Sequence, residues 1–153
     1  IKAAIGQADN QFTPLQLATY VATIASGGNR YRPHLISKVT DYLRENVITE
    51  NSPEHPELVD TVGISEENLN IVKDAMRQVV LSGTATNFSG YMVPIAAKTG
   101  TAQNSGSDHT TFICFAPYEK PEIAIAVVVE HGAKGMVSKI VAKDIMDAYF
   151  SNK

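Results

Sequence analysis

Three apolar runs follow one another closely in the second half of the chain: VPIAAKTGTA at 93–102, TTFICFAP at 110–117 and EIAIAVVVE at 122–130. The intervals between them, QNSGSDH and YEKP, are rich in turn-forming residues and too short for the crossover that a parallel pair of strands requires. The runs are therefore predicted to form three adjacent antiparallel strands joined as hairpins. Cys114, the single cysteine, sits in the middle run and reads as a buried free thiol.

Helical periodicity flanks these strands. In TPLQLATYVATIASGG (13–28), Thr13 is placed to cap a helix, Pro14 suits its first turn, Gln16 completes a capping-box spacing, and Gly27 and Gly28 supply a stop. Leu17, Val21 and Ile24 form its stripe, widened by Leu15, Ala18, Ala22 and Ala25. A second helix is predicted from Ser65 as cap, with Glu66 and Glu67 complementing the dipole and Leu69, Val72, Met76 and Val79 facing the core, to a stop near Gly83. A third, over 137–150, places Val137, Ile140, Val141, Ile145 and Ala148 on the face expected to lie on the sheet. Between the first two helices, 30–42 carries strand-like content after Pro33, and 44–64 reads as a solvent-exposed hairpin or loop. The order predicts an α+β fold, with helices packed on an antiparallel sheet that would take a further strand from an N-terminal part.

At 153 residues and 44% hydrophobic, the chain suits one domain or a piece of one. A net charge of −3 with scattered basic residues argues against nucleic acid as a partner. No run approaches the ~18 apolar residues of a membrane span, and the start IKAAIGQADN has neither Met nor the make-up of a signal peptide. That start is expected of a piece cut from something longer. His34, His55, His109 and His131 lack metal-ligand spacing and read as surface or turn residues, so neither a metal nor another cofactor is expected. Asp108, beside His109 and just before a strand, fits a loop-holding role, with a general-base role as the alternative.

Within the first strand, AAKTGTAQ (96–103) sets a lysine among small and hydroxyl-bearing residues. A phosphate loop would need glycine before the lysine and a helix after it, whereas Ala97 precedes Lys98 and a strand follows. Acyl transfer fits better, because Lys-Thr-Gly on a strand is a signature of penicillin-binding proteins and serine β-lactamases.

The flanks AIGQADNQFTPLQLATYVATIASGGNRYRPHLI, LSGTATNF, AAKTGTAQ, DHTTFICFAP and PEIAIAVVVEHG extend the match over about residues 4 to 150. In this order they resemble the C-terminal part of the transpeptidase domain of class B penicillin-binding proteins, most closely the elongation type. The resemblance implies a membrane-anchored D,D-transpeptidase on the extracytoplasmic face of a bacterial membrane. Its implied partners are peptidoglycan stem peptides, β-lactam antibiotics, the remaining N-terminal part of the domain and the cell-wall elongation machinery. Lys98, Thr99, Gly100 and Thr101 would form the substrate-carboxylate wall, with the Thr101 amide as an oxyanion donor and Lys98 and Thr101 counted as catalytic. Strand alternation puts Lys98 and Gly100 on one face and Thr99 and Thr101 on the other, unless a bulge or local twist turns them.

The family's nucleophile is the serine of a Ser-x-x-Lys motif, and a Ser-x-Asn motif completes the cleft. No serine of this chain has Lys three residues on or Asn two residues on. The resemblance places both motifs upstream, so the chain by itself is expected to be inactive. A β-lactamase or β-lactam sensor of the same fold, and a non-catalytic binding module, are the competing readings.

Overall fold

The computed structural model describes residues 11–51, 56–132 and 135–151. Helix α1 (Pro14–Ala25) starts as its sequence dictates. The Thr13 hydroxyl accepts from the Gln16 amide, the Gln16 side chain accepts from the Thr13 amide at 2.8 Å, and the exit turns through Gly27 and Gly28 at φ 74° and 98°. Val21, Ile24 and Ala25 are buried as expected, whereas Leu15 is 61% exposed and Thr23 is buried in its place. Thr23 tolerates burial because its hydroxyl donates to the Thr19 carbonyl at 2.8 Å, leaving no polar atom to desolvate unpaired.

The segment expected to hold one strand after Pro33 holds two short ones on either side of it, β1 (Asn29–Tyr31) and β2 (Lys38–Thr40). The polar excursion supplies their antiparallel partners: β3 (Val47–Glu50) pairs with β2, and β4 (Leu58–Thr61) pairs with β1. Both ribbons are largely exposed. Proline has no amide to donate to a ladder, which is why the strand divides there.

Helix α2 (Glu66–Leu81) is capped by the Ser65 hydroxyl, which accepts from the Asn68 amide. Its buried residues are Leu69, Met76 and Val80, with Val72 turned outward at 42% exposure. The stripe is therefore rotated from the expected one. Lys73 takes part of the inner face, with its ammonium 6.0 Å from the centre of the Phe115 ring.

Strands β5 (Ala96–Ala102), β6 (His109–Ala116) and β7 (Ile123–Val129) form the predicted antiparallel sheet in the order β5-β6-β7. Helices cover both faces, giving the expected α+β fold. On one side Ala96 and Phe115 pack with Val21, Ile24, Ala25 and Met76 of α1 and α2. On the other, Ala97, Phe112, Cys114, Ile125 and Val127 pack with Ala142 and Met146 of α3 (Met136–Ser151), and Val80, Ala85, Phe88 and Ile95 close the end of this layer.

Helix α3 lies on the sheet by a face rotated from the one expected. Ser138, Ala142 and Met146 are buried, while Val137, Ile140, Val141 and Ile145 are 49%, 51%, 39% and 42% exposed. Small residues at i and i+4 let the helix backbone approach the sheet closely, and Met146 fills the space beyond them.

Candidate active site

β5 is an edge strand, paired with β6 on one side and with no other strand among the described residues. Its entry is held from two directions. Arg77 of α2 donates through a guanidinium N–H to the Ile95 carbonyl at 2.9 Å, and the Tyr118 amide donates to the Pro94 carbonyl at 2.8 Å. Ala96 and Ala97 are fully buried, after which the strand emerges: Lys98 is exposed, Thr99 and Gly100 are half-buried, and Thr101 and Ala102 are exposed. The apolar half of one strand thus anchors its polar half.

The β5–β6 register runs without a shift through Lys98↔Ile113, Thr99↔Phe112, Gly100↔Thr111 and Thr101↔Thr110. With no bulge to redirect a side chain, strand alternation sets Lys98 and Gly100 on the α1 and α2 side and Thr99 and Thr101 on the α3 side. The four candidate residues are contiguous along one open edge but divide between the two faces. The Lys98 ammonium folds back onto the Thr99 carbonyl at 2.6 Å. At Gly100 a Cβ would lie 3.4 Å from the Thr111 Cβ, an ordinary contact, so what glycine does here is keep that face of the strand clear of a side chain.

Sequence reasoning gave no role to Thr84, which meets this strand, or to Lys139, which holds Thr84. The turn after α2 carries Thr84, whose hydroxyl lies 2.8 Å from that of Thr99. Lys139 of α3 donates to the Thr84 carbonyl at 3.2 Å. These contacts join residues 15 and 55 positions apart; Thr84 lies in LSGTATNF, one of the stretches that carry the resemblance, but nothing in that run marks its partners.

At the far end of the hairpin, His109 pairs with Ala102 across the ladder and stacks edge-on with His131 at 4.8 Å. The His131 amide donates to His109 Nδ1 at 3.0 Å, and His131 Nδ1 lies 3.2 Å from the Ser107 carbonyl. Two histidines read separately in the sequence therefore tie the 103–108 loop to the end of β7. His34 is exposed and His55 lies outside the described residues. No group of three or more His, Cys, Asp or Glu among the described residues is placed to hold a metal ion. Cys114 is fully buried, and burial pushes its thiol up to about 12.

A cleft of 790 Å³ opens elsewhere, between the end of α1 and the first turns of α2, bordered by Ser26, Asn70, Lys73 and Glu119; it includes none of residues 98–101. No described helix is long and apolar enough to cross a membrane.

Residues 1–147 match the family model for the penicillin binding protein transpeptidase domain. The chain is 34% identical to penicillin-binding protein 2A of Bacillus subtilis strain 168, over 98% of its own length and 23% of that protein. It is also 34% identical to the peptidoglycan D,D-transpeptidase MrdA of Acinetobacter baumannii, over 96% and 24% respectively. The fold superimposes on penicillin-binding protein 2B of Streptococcus pneumoniae strain R6 with a TM-score of 0.82 at 30% identity, covering 92% of this chain and 25% of that one. Penicillin-binding protein A of Mycobacterium tuberculosis, solved as a penicillin G acyl-enzyme complex, gives a TM-score of 0.82 at 28% identity, covering 97% and 34%. The chain spans about a quarter of the length of these curated relatives.

Proposed function

Since the chain belongs to the family of penicillin-binding protein transpeptidase domains, we propose that it forms the C-terminal part of the catalytic domain of a class B, elongation-type peptidoglycan D,D-transpeptidase. The observation that carries this reading is the family match together with Lys98, Thr99, Gly100 and Thr101 standing on a sheet edge that no other described strand pairs. Such an edge accepts an extended peptide as an added strand. The substrate is a stem peptide ending in D-Ala-D-Ala, and its free carboxylate meets the lysine. An ammonium about 4 Å from a carboxylate contributes on the order of 4 kcal/mol at an effective dielectric near 20. The threonine hydroxyls add oriented hydrogen bonds, and the Thr101 amide serves as one oxyanion donor. Gly100 allows the peptide backbone to approach closely.

In the reaction a serine hydroxyl attacks the carbonyl of the penultimate D-Ala. The C–N bond breaks, free D-Ala leaves with a proton on its amine, and an acceptor amine then displaces the serine to form the cross-link. The chain's ten serines all lack the activating lysine three residues on, so the nucleophile belongs to the longer protein's N-terminal part. β-Lactams enter as mimics of the donor and stop at the acyl-enzyme. The longer protein acts at the extracytoplasmic face of the bacterial membrane, with cell-wall elongation proteins as its partners.

A fluorescent penicillin tests this directly. The full-length protein is expected to take a covalent label and this polypeptide alone is not; a labelled band on the isolated polypeptide would sink the assignment. In the full-length protein Lys98→Ala is expected to slow acylation about 100-fold or more, the loss of one charge-stabilising contact in such a site, and an unchanged rate removes the role given to Lys98.

A further inference from the structure

The Thr99 hydroxyl is held by a device built from three distant elements. Gly83 packs so tightly on α2 that a Cβ there would lie 2.8 Å from the Val79 Cα, and the Ala85 amide donates to the Val79 carbonyl at 3.0 Å. The chain therefore leaves α2 along one path, which carries the Thr84 hydroxyl to 2.8 Å from that of Thr99. From the opposite side, the Lys139 ammonium on α3 holds the Thr84 carbonyl at 3.2 Å.

We propose that Thr84, fixed by Lys139, is a positioning residue that orients the Thr99 hydroxyl toward the substrate carboxylate; the proposal rests on the reading of residues 98–101 as the carboxylate wall. A hydroxyl carries one hydrogen, so of two hydroxyls in contact one donates and the other accepts. A carboxylate only accepts. When Thr84 donates to Thr99, the Thr99 hydrogen is free for the anion, and the three oxygens form a relay with one direction. Thr84 is exposed and Thr99 half-buried, so a ligand can reach the pair from solvent. Lys139 adds a second role, because its charge lies on the same side of the strand as Thr99 and favours an anion there.

The test uses the full-length protein and compares acylation by benzylpenicillin with acylation by its methyl ester, which lacks the anionic carboxylate. Thr84→Val is expected to lower the rate constant toward the acid about fivefold, as loss of one hydrogen bond between neutral hydroxyls implies, and to leave the ester within about twofold. Thr84→Ser, which keeps the hydroxyl, restores the acid rate, and Lys139→Met lowers it selectively. The proposal is overturned by an unchanged acid rate in Thr84→Val, by equal losses on acid and ester, or by Thr84→Ser behaving like Thr84→Val. Failure of the underlying reading looks different: the unaltered protein would then acylate with acid and ester equally, or with neither.

Discussion

Arg77 on α2 grips the carbonyl of Ile95, the residue immediately before β5, at 2.9 Å. One guanidinium thus sets where the buried half of the strand begins and, three residues later, where Lys98 leaves the core. Arg77→Met keeps much of the stem's packing and removes the charged donor. It is expected to lower stability by about 1–2 kcal/mol, since the buried Ile95 carbonyl loses its partner. A denaturant titration checks this, with the midpoint falling and the slope unchanged.

Thr110 sits across from Thr101 with its hydroxyl buried and unpartnered among the described residues. Replacing it by valine, of similar shape, is expected to raise stability by about 1 kcal/mol, because an unsatisfied hydroxyl no longer has to be desolvated. Gly132→Ala should act oppositely. Its Cβ would lie 2.6 Å from that hydroxyl and 3.1 Å from the Val129 carbonyl oxygen, which requires backbone movement. Thermal midpoints of the two variants should move in opposite directions.

Tyr91, Asp147 and Lys143 form a triad with opposite limbs of pH dependence. Burial pushes the Tyr91 phenol up to about 12, aided by its hydrogen bond to Asp147 and that residue's charge. Lys143 and then Tyr91 hold the Asp147 carboxyl below its ordinary range. Raised in the folded state, the phenol contributes stability that is fully present below pH about 10, its unfolded value, and is lost as pH rises toward 12. Depressed in the folded state, the carboxyl contributes stability present above about pH 4 and lost as the pH falls below it. Tyr91→Phe is expected to remove this alkaline contribution; phenolate absorbance near 295 nm follows the group itself, and a Tyr91 phenolate appearing at pH 10 contradicts the assignment.

Cys114 is expected to resist alkylation in the native state at pH 8 and to react once the protein is unfolded. Its thiol is fully buried and pushed up to about 12, so native thiolate is scarce and inaccessible. Rapid native labelling, followed by mass spectrometry, would contradict this placement.

What was legible in the sequence was what local rules decide. Thr13 and Gln16 announce a capping box because every partner lies within one turn. The three strands announce themselves through their own lengths and the shortness of the turns between them. Helix α3 defeated its pattern because it carries apolar residues on both sides. Periodicity favours the bulkier set of Val137, Ile140, Val141 and Ile145, while the sheet takes Ser138, Ala142 and Met146, which permit closer approach. The place of Lys98 on the first of three hairpin-joined strands was legible from the runs and the turns between them, but its neighbours were not. Thr84 reaches Thr99, and Lys139 reaches Thr84, only after α2, β5 and α3 have packed, and no spacing rule spans such separations.

The unbroken ladder from Ala96↔Phe115 to Ala102↔His109 also sets how the family can vary here. Residues may be gained or lost in the 103–108 loop without disturbing anything upstream, since every rung keeps its partner. A single insertion within β5 has no such freedom, because it would exchange lysine for threonine on each side of the sheet at once. Length change in this hairpin is therefore continuous at its tip and quantised in steps of two along its strand, so drift among relatives should accumulate at the tip.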